Sequence, residues 1–114
     1  MEQNIMLNSR VQFVKHPMEE GVYIKHISST VDKDLFNSIE VRIDPGCQIS
    51  PHIHDTYSEF YYALNGEGEF LNNGKWELFK KGDALKVPFG MEHGLKNTGE
   101  NSLVIFSTFS LTHK

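Results

Sequence analysis

The chain has 114 residues, 39% hydrophobic and 23% charged, with 15 acidic and 11 basic side chains for a formal charge of -4. A chain of this size holds one core and one domain, and its composition is that of an ordinary globular protein, neither disordered nor membrane-embedded. The lysines are scattered among carboxylates with no basic stripe, which argues against a nucleic-acid surface, and no run approaches the roughly 18 apolar residues of a membrane span.

The first residues, MEQNIMLNSRVQ, carry acidic and polar side chains where a secretory signal needs a basic start and an apolar run, so a cytosolic protein is expected. A single cysteine, Cys47, leaves no partner for an intrachain disulfide and no multi-cysteine zinc or iron–sulfur site.

Residues 1–21 are polar and irregular, broken at Pro17 and Gly21, and read as an N-terminal arm with at most one short strand around Val11 to Val14. The remaining residues, 22–114, read as the folded domain. Val22, Ile24 and His26 alternate with Tyr23, Lys25 and Ile27; between Phe36 and Ile43, Ile39, Val41 and Ile43 share one face and Glu40 and Arg42 the other. Turn signals then recur at short intervals: Asp44-Pro45-Gly46, Asp55 to Ser58, Asn65-Gly66, Asn72-Asn73-Gly74, Lys81-Gly82-Asp83, Pro88 to Gly90, and Thr98-Gly99. Between them lie β-rich runs, Glu59 to Leu64, Glu67 to Leu71, Trp76 to Phe79, Ala84 to Val87 and Leu103 to Phe109. No window shows a helical period, and many short strands at this spacing favour a sandwich or a closed or partly closed barrel.

His52 and His54 stand two apart, which on a strand puts both imidazoles on one face about 7 Å apart, within reach of one ion. Glu59 follows at an odd offset, and the polar stretch Asp55 to Ser58 is expected to turn the chain so that Glu59 faces the same interior from the neighbouring antiparallel strand. His93, just after the Pro88 to Gly90 turn, can add a fourth donor. Each of these pieces is commonplace alone; their joint occurrence in one frame of glycines and a proline gives them weight.

That frame resembles both signature motifs of the cupin superfamily. Gly46, His52, His54, Glu59 and Gly66 match the first motif in its four-residue spacing, and Gly82, Pro88, Gly90, His93 and Asn97 match the second. The resemblance implies an all-β, single-domain cupin barrel of double-stranded β-helix or jelly-roll form, with His52, His54, Glu59 and His93 holding one divalent transition metal. Manganese, iron, nickel, cobalt, copper and zinc all suit imidazole and carboxylate ligands. Three neutral imidazoles and one carboxylate leave a divalent ion a net charge of about +1, which favours an anionic ligand such as a carboxylate, an enolate or a 2-oxo acid. The implied activities are dioxygenase, isomerase, lyase or decarboxylase chemistry on a small oxygenated carboxylate, enol or sugar-like substrate; the alternative is a sensor or binding module without turnover.

Strand parity places Gln48 and Ser50 on the His52/His54 face and Tyr61 and Ala63 on the Glu59 face. Gln48 and Tyr61 are therefore expected to contact a bound small molecule or orient a ligand, with Phe89 and Met91 at the pocket mouth. Cys47, just before the ligand strand, is a candidate nucleophile or extra ligand, although a thiol without a nearby base is ordinarily inert. Lys86 and Trp76 read as strand residues, and His16, His26 and His113 take no role. Finally, Leu103 to Phe106 would bury both faces of one strand. A homodimer contact on its outer face is expected, with the N-terminal arm as the other candidate cover.

Overall fold

Strands with period-two alternation each have one face to bury, and tight turns between them let two sheets close over a shared interior. In the computed structural model, which describes residues 12–27, 36–54 and 57–111, this pattern builds ten strands: β1 (Phe13–Lys15), β2 (Val22–His26), β3 (Phe36–Ile43), β4 (Gln48–Ile53), β5 (Tyr57–Asn65), β6 (Glu67–Asn72), β7 (Lys75–Lys80), β8 (Ala84–Val87), β9 (Glu92–Lys96) and β10 (Leu103–Leu111). A six-stranded sheet runs β1-β2-β3-β10-β5-β8 and faces a four-stranded sheet β4-β9-β6-β7. Every pairing is antiparallel. The fold is the expected all-β barrel.

The alternation in β3 is used as anticipated: Val41 and Ile43 are buried, Ile39 packs against the core, and Glu40 and Arg42 lie on the outer face. There the Arg42 guanidinium stacks over Tyr23 and Phe13, 4.5 and 5.1 Å from the ring centroids. In β10, Leu103 and Ile105 are buried, while Val104 and Phe106 are half-buried on the outside. The β6–β7 hairpin turns on Asn73 and Gly74, both at positive φ (56° and 83°), as a two-residue turn requires. Phe79 from β7 is buried edge-on to Phe70, their centroids 5.6 Å apart.

The short strand expected around Val11 to Val14 appears as β1, which pairs with β2 and so belongs to the larger sheet; Val11 and everything before it lie outside the described residues, as do Asp55, Thr56 and His113. One feature departs from the linear reading. β9 carries no strong strand signal, Glu-His-Gly-Leu-Lys, yet it sits between β4 and β6, where two partners fix it. Tertiary pairing overrides weak local propensity here.

Opposite the inner edge of β9, Gly68 has no room for a side chain: an added Cβ would collide with the Lys96 carbonyl oxygen and lie 2.9 Å from a Leu103 methyl. Gly68→Ala should therefore cost about 1–3 kcal/mol through overpacking, read as a lower urea midpoint with an unchanged slope.

Candidate metal centre

The position of the two histidines on β4 depends on a single irregularity. Gln48 pairs with Lys96 and Ile49 with Leu95, but the next pairs are His52 with His93 and Ile53 with Glu92. Three steps along β4 thus match two along β9, a β-bulge at Ser50 and Pro51. Proline has no N–H to give a ladder, so it is confined to edge strands and bulges, and Pro51 occupies both. Across from it Gly94 makes room, since a Cβ there would lie 3.1 Å from Ile49 O and Pro51 N.

The bulge inverts the parity assumed from sequence. Ile49 turns inward with Leu95, and His52 turns inward with His93, so Gln48 is exposed on the outer face beside Lys96. The expected ligand contact of Gln48 is therefore corrected: the extra residue puts it on the wrong side of the sheet. Ser50 is also withdrawn from the pocket; its N–H donates to Glu19 Oε2 at 2.8 Å, and its hydroxyl lies 3.3 Å from Glu19 Oε1. Its carbonyl accepts from His52 Nδ1 at 2.8 Å.

Glu59 reaches the interior by a different route from the one expected. β5 is not the neighbour of β4; it lies in the opposite sheet, beside β10 and β8. The chain crosses between the sheets after His54, so the odd offset brings Glu59 to face the histidines across the barrel. His52 Nε2 and His54 Nε2 are 3.2 Å apart, and Glu59 Oε1 lies 3.2 Å from His54 Nε2 and 3.3 Å from His93 Nε2. The three imidazole ring centroids are 4.3 to 4.8 Å apart.

These spacings fit an ion. With bonds of about 2.1 Å, adjacent donors stand about 3.0 Å apart in an octahedron and about 3.4 Å apart in a tetrahedron. The tautomers fit as well: His52 Nδ1 faces the Ser50 carbonyl and His93 Nδ1 the Met91 carbonyl at 3.0 Å, so each ring donates from Nδ1 and presents an Nε2 lone pair inward. His93 Nε2 is buried with no hydrogen-bond partner. Facing a carboxylate oxygen, such a lone pair needs a proton or a cation.

Glu59 is held from behind. Tyr61 donates its phenol proton to Oε1 at 2.9 Å, and the Ser107 hydroxyl donates to Oε2 at 3.1 Å. Tyr61, expected to touch a small molecule or orient a ligand, has its hydroxyl committed to Glu59. Ser107 was not anticipated, although a visible signal existed: it is the polar member of the inward series Leu103, Ile105, Ser107. Burial raises the Glu59 pKa, but the neighbouring His54 and His93 imidazoles and the Tyr61 phenol outweigh it and lower the value to about 2. Burial lowers His52, against the Ser50 carbonyl. For His93, burial also pulls downward, but the Glu59 carboxylate and the Met91 carbonyl hold it above the ordinary imidazole value.

The remaining candidates fall outside the cluster. Phe89 is 51% exposed on the β8–β9 turn, which is pinned beside the cluster by Gly90 N–H donating to the His54 carbonyl at 2.6 Å. Cys47 precedes β4 and so lies a strand's length from His54, packed against the core and bonded through its backbone to Asp44 and Asn97. Its thiol faces Gly21 and is not among the side chains gathered at the centre. Asn97, the last residue of the second motif, is structural: its amide donates to the Ile43 and Asn101 carbonyls and accepts from Gly99 N–H.

Comparisons agree with this architecture. The cupin domain family model matches residues 39–109. A protein of Thermotoga maritima named an oxalate-binding protein is 35% identical over 71 residues, 62% of this chain, and the match spans 59% of the length of that relative. The pectin degradation protein KdgF of Dickeya dadantii is 33% identical over 95 residues, covering 82% of this chain and 84% of that protein. The crystal structure of a predicted oxalate decarboxylase from Thermotoga maritima superposes with a TM-score of 0.83 at 26% identity, over 95% of this chain and 99% of that one.

In the metal-free protein the Glu59–His93 pair should shape acid stability. The depressed Glu59 value means that its charged form stabilises the fold above the ordinary 4.5, a contribution lost as pH falls toward about 2. The raised His93 value acts in the opposite sense: its contribution is complete below 6.5 and is lost as pH rises through the folded value. Urea unfolding between pH 2 and pH 8 should show both flanks in the parent protein and neither in Glu59→Gln. Equal pH dependence in the two would place it elsewhere in the chain.

Proposed function

The chain belongs to the cupin domain family, and on that basis we propose that it is a metalloenzyme in which His52, His54, Glu59 and His93 hold one divalent transition metal and present it to a small oxygenated carboxylate. The observation that carries this reading is the gathering of His54 and His93 Nε2 around one Glu59 oxygen with His52 Nε2 beside that of His54, the opposite nitrogens of His52 and His93 being tied to backbone carbonyls. When bound there, a divalent ion supplies Lewis-acid polarisation of an oxygen donor, with a net charge of about +1 that favours an anion.

The residues of the chain set the rest. His93 and Glu59, at 2% and 8% exposure, form the closed floor, while His52 and His54 are only partly buried, so a ligand approaches from the side of β4. Leu85, directly across from Tyr61 on β8, and Met91 are packed against the core beside the site. The Tyr61 and Ser107 hydroxyls keep Glu59 charged and fixed in orientation. The names of the oxalate-binding relative and of the predicted oxalate decarboxylase support a small carboxylate as the ligand class.

A binding module without turnover is the second reading. It is favoured by the commitment of both Tyr61 and Ser107 to Glu59, which leaves neither as a separate general base.

Protein purified without added metal should contain about one transition-metal ion per chain. His52→Ala, His54→Ala and His93→Ala should each lower it markedly with the β fold retained, because a site loses most of its affinity with one donor. Metal should leave below about pH 6, where protons compete for the imidazoles. A triple variant that binds as the parent does would remove the assignment. With the ion bound, oxalate and 2-oxo acids are the substrates to assay; saturable binding without product in every case would select the binding module.

The proposed assembly is a homodimer through the outer face of β5 and β10. Phe60, Tyr62 and Leu64 are 42%, 40% and 37% exposed there beside Val104 and Phe106, and β1 extends the far edge of the sheet without covering them. Light scattering at micromolar concentration should give twice the chain mass, and Tyr62→Glu should halve it. A monomeric parent at all concentrations would overturn the dimer.

A further inference from the structure

The Ser50–Pro51 bulge leaves backbone groups that no strand partner takes, and one of them is claimed from the neighbouring edge of the other sheet. β4 is an edge strand of the smaller sheet, and the β1–β2 connection borders the larger one. Glu19, in that connection, bridges them: its two carboxylate oxygens meet the Ser50 N–H at 2.8 Å and the Ser50 hydroxyl at 3.3 Å. The carbonyl of the same Ser50 takes the Nδ1 proton of His52 at 2.8 Å. Glu19 is itself held: His16 Nδ1 accepts the N–H groups of Met18 and Glu19, each at 3.0 Å, and His16 N–H donates to the Val22 carbonyl at 2.8 Å. A charge-assisted bond at an otherwise unpaired backbone group is among the stronger restraints a surface carboxylate can exert.

We propose that Glu19 is a positioning residue for the metal centre: by fixing Ser50 across the gap between the sheets, its carboxylate sets the carbonyl that orients the His52 ring and selects its tautomer. This rests on the reading of His52 as a ligand. Glu19 stands outside residues 39–109, the span matched by the family model, and 31 residues from Ser50. The segment before β2 is thus part of the site.

The test compares Glu19→Ala and Glu19→Gln with Glu20→Ala, a neighbour whose 88% exposed carboxylate meets only Lys15 among the described residues. Zinc affinity by chelator competition should fall about 10- to 100-fold in Glu19→Ala, with shifted ligand-field bands in the cobalt(II)-loaded protein. In the metal-free protein, 15N shifts should show the His52 ring leaving its Nδ1–H tautomer, a change that a merely structural role does not produce. Glu20→Ala should match the parent, and Glu19→Gln should recover part of the loss, because an amide oxygen still accepts from Ser50. If Glu19→Ala does not fold, Glu19→Gln decides, with a several-fold loss and shifted bands expected. Parent-like affinity, bands and tautomer in the folded variant overturn the proposal while leaving the metal centre intact. Failure of the parent to bind zinc or cobalt overturns the reading of His52 as a ligand and the proposal together.

Discussion

Period-two alternation assigns every residue of a strand to one side of a sheet, and the centre of this molecule depends on one break in that rule. Without the extra residue at Ser50 and Pro51, the parity that sends Ile49 into the core beside Leu95 would send His52 and His54 to the outside. The bulge lets one strand serve two purposes: its first half packs hydrophobically, and its second half presents imidazoles. It also supplies the carbonyl that orients His52. Its two chemical requirements are a residue without an N–H at the kink and a residue without a side chain opposite, met by Pro51 and Gly94.

The second requirement is a carboxylate that stays charged where water is scarce. Burial opposes charge on Glu59, and the site counters it with two imidazoles and the Tyr61 phenol around Oε1 and the Ser107 hydroxyl at Oε2. These groups come from both halves of the barrel, with His93 on the smaller sheet, His54 just past its strand β4, and Tyr61 and Ser107 on the larger. Glu59 thereby joins the two halves of the barrel at its centre, as Glu19 joins them at its edge and Asn97 at the end of β3. The same groups that make the acid strong also fix its geometry.

What the sequence by itself determined follows from rules local to a few residues. Turn chemistry at Asn73-Gly74 and alternation in β3 and β10 place the strands and their buried faces, because both depend on neighbours one to four positions away. The motif frame likewise brought His52, His54, Glu59 and His93 into one candidate set, and the fold gathers all four. Only the tertiary structure decided which sheet each occupies, because strand order is set by long-range pairing that no local pattern encodes. For the same reason Glu59 arrives from across the barrel, Gln48 points away from it, β9 forms despite a poor strand sequence, and Ser107 and Glu19 become partners of residues 48 and 31 positions distant. A bulge is a property of two strands in register, so Pro51 could signal a kink in β4, but the side to which that kink turned the histidines was fixed only when β9 paired beside it.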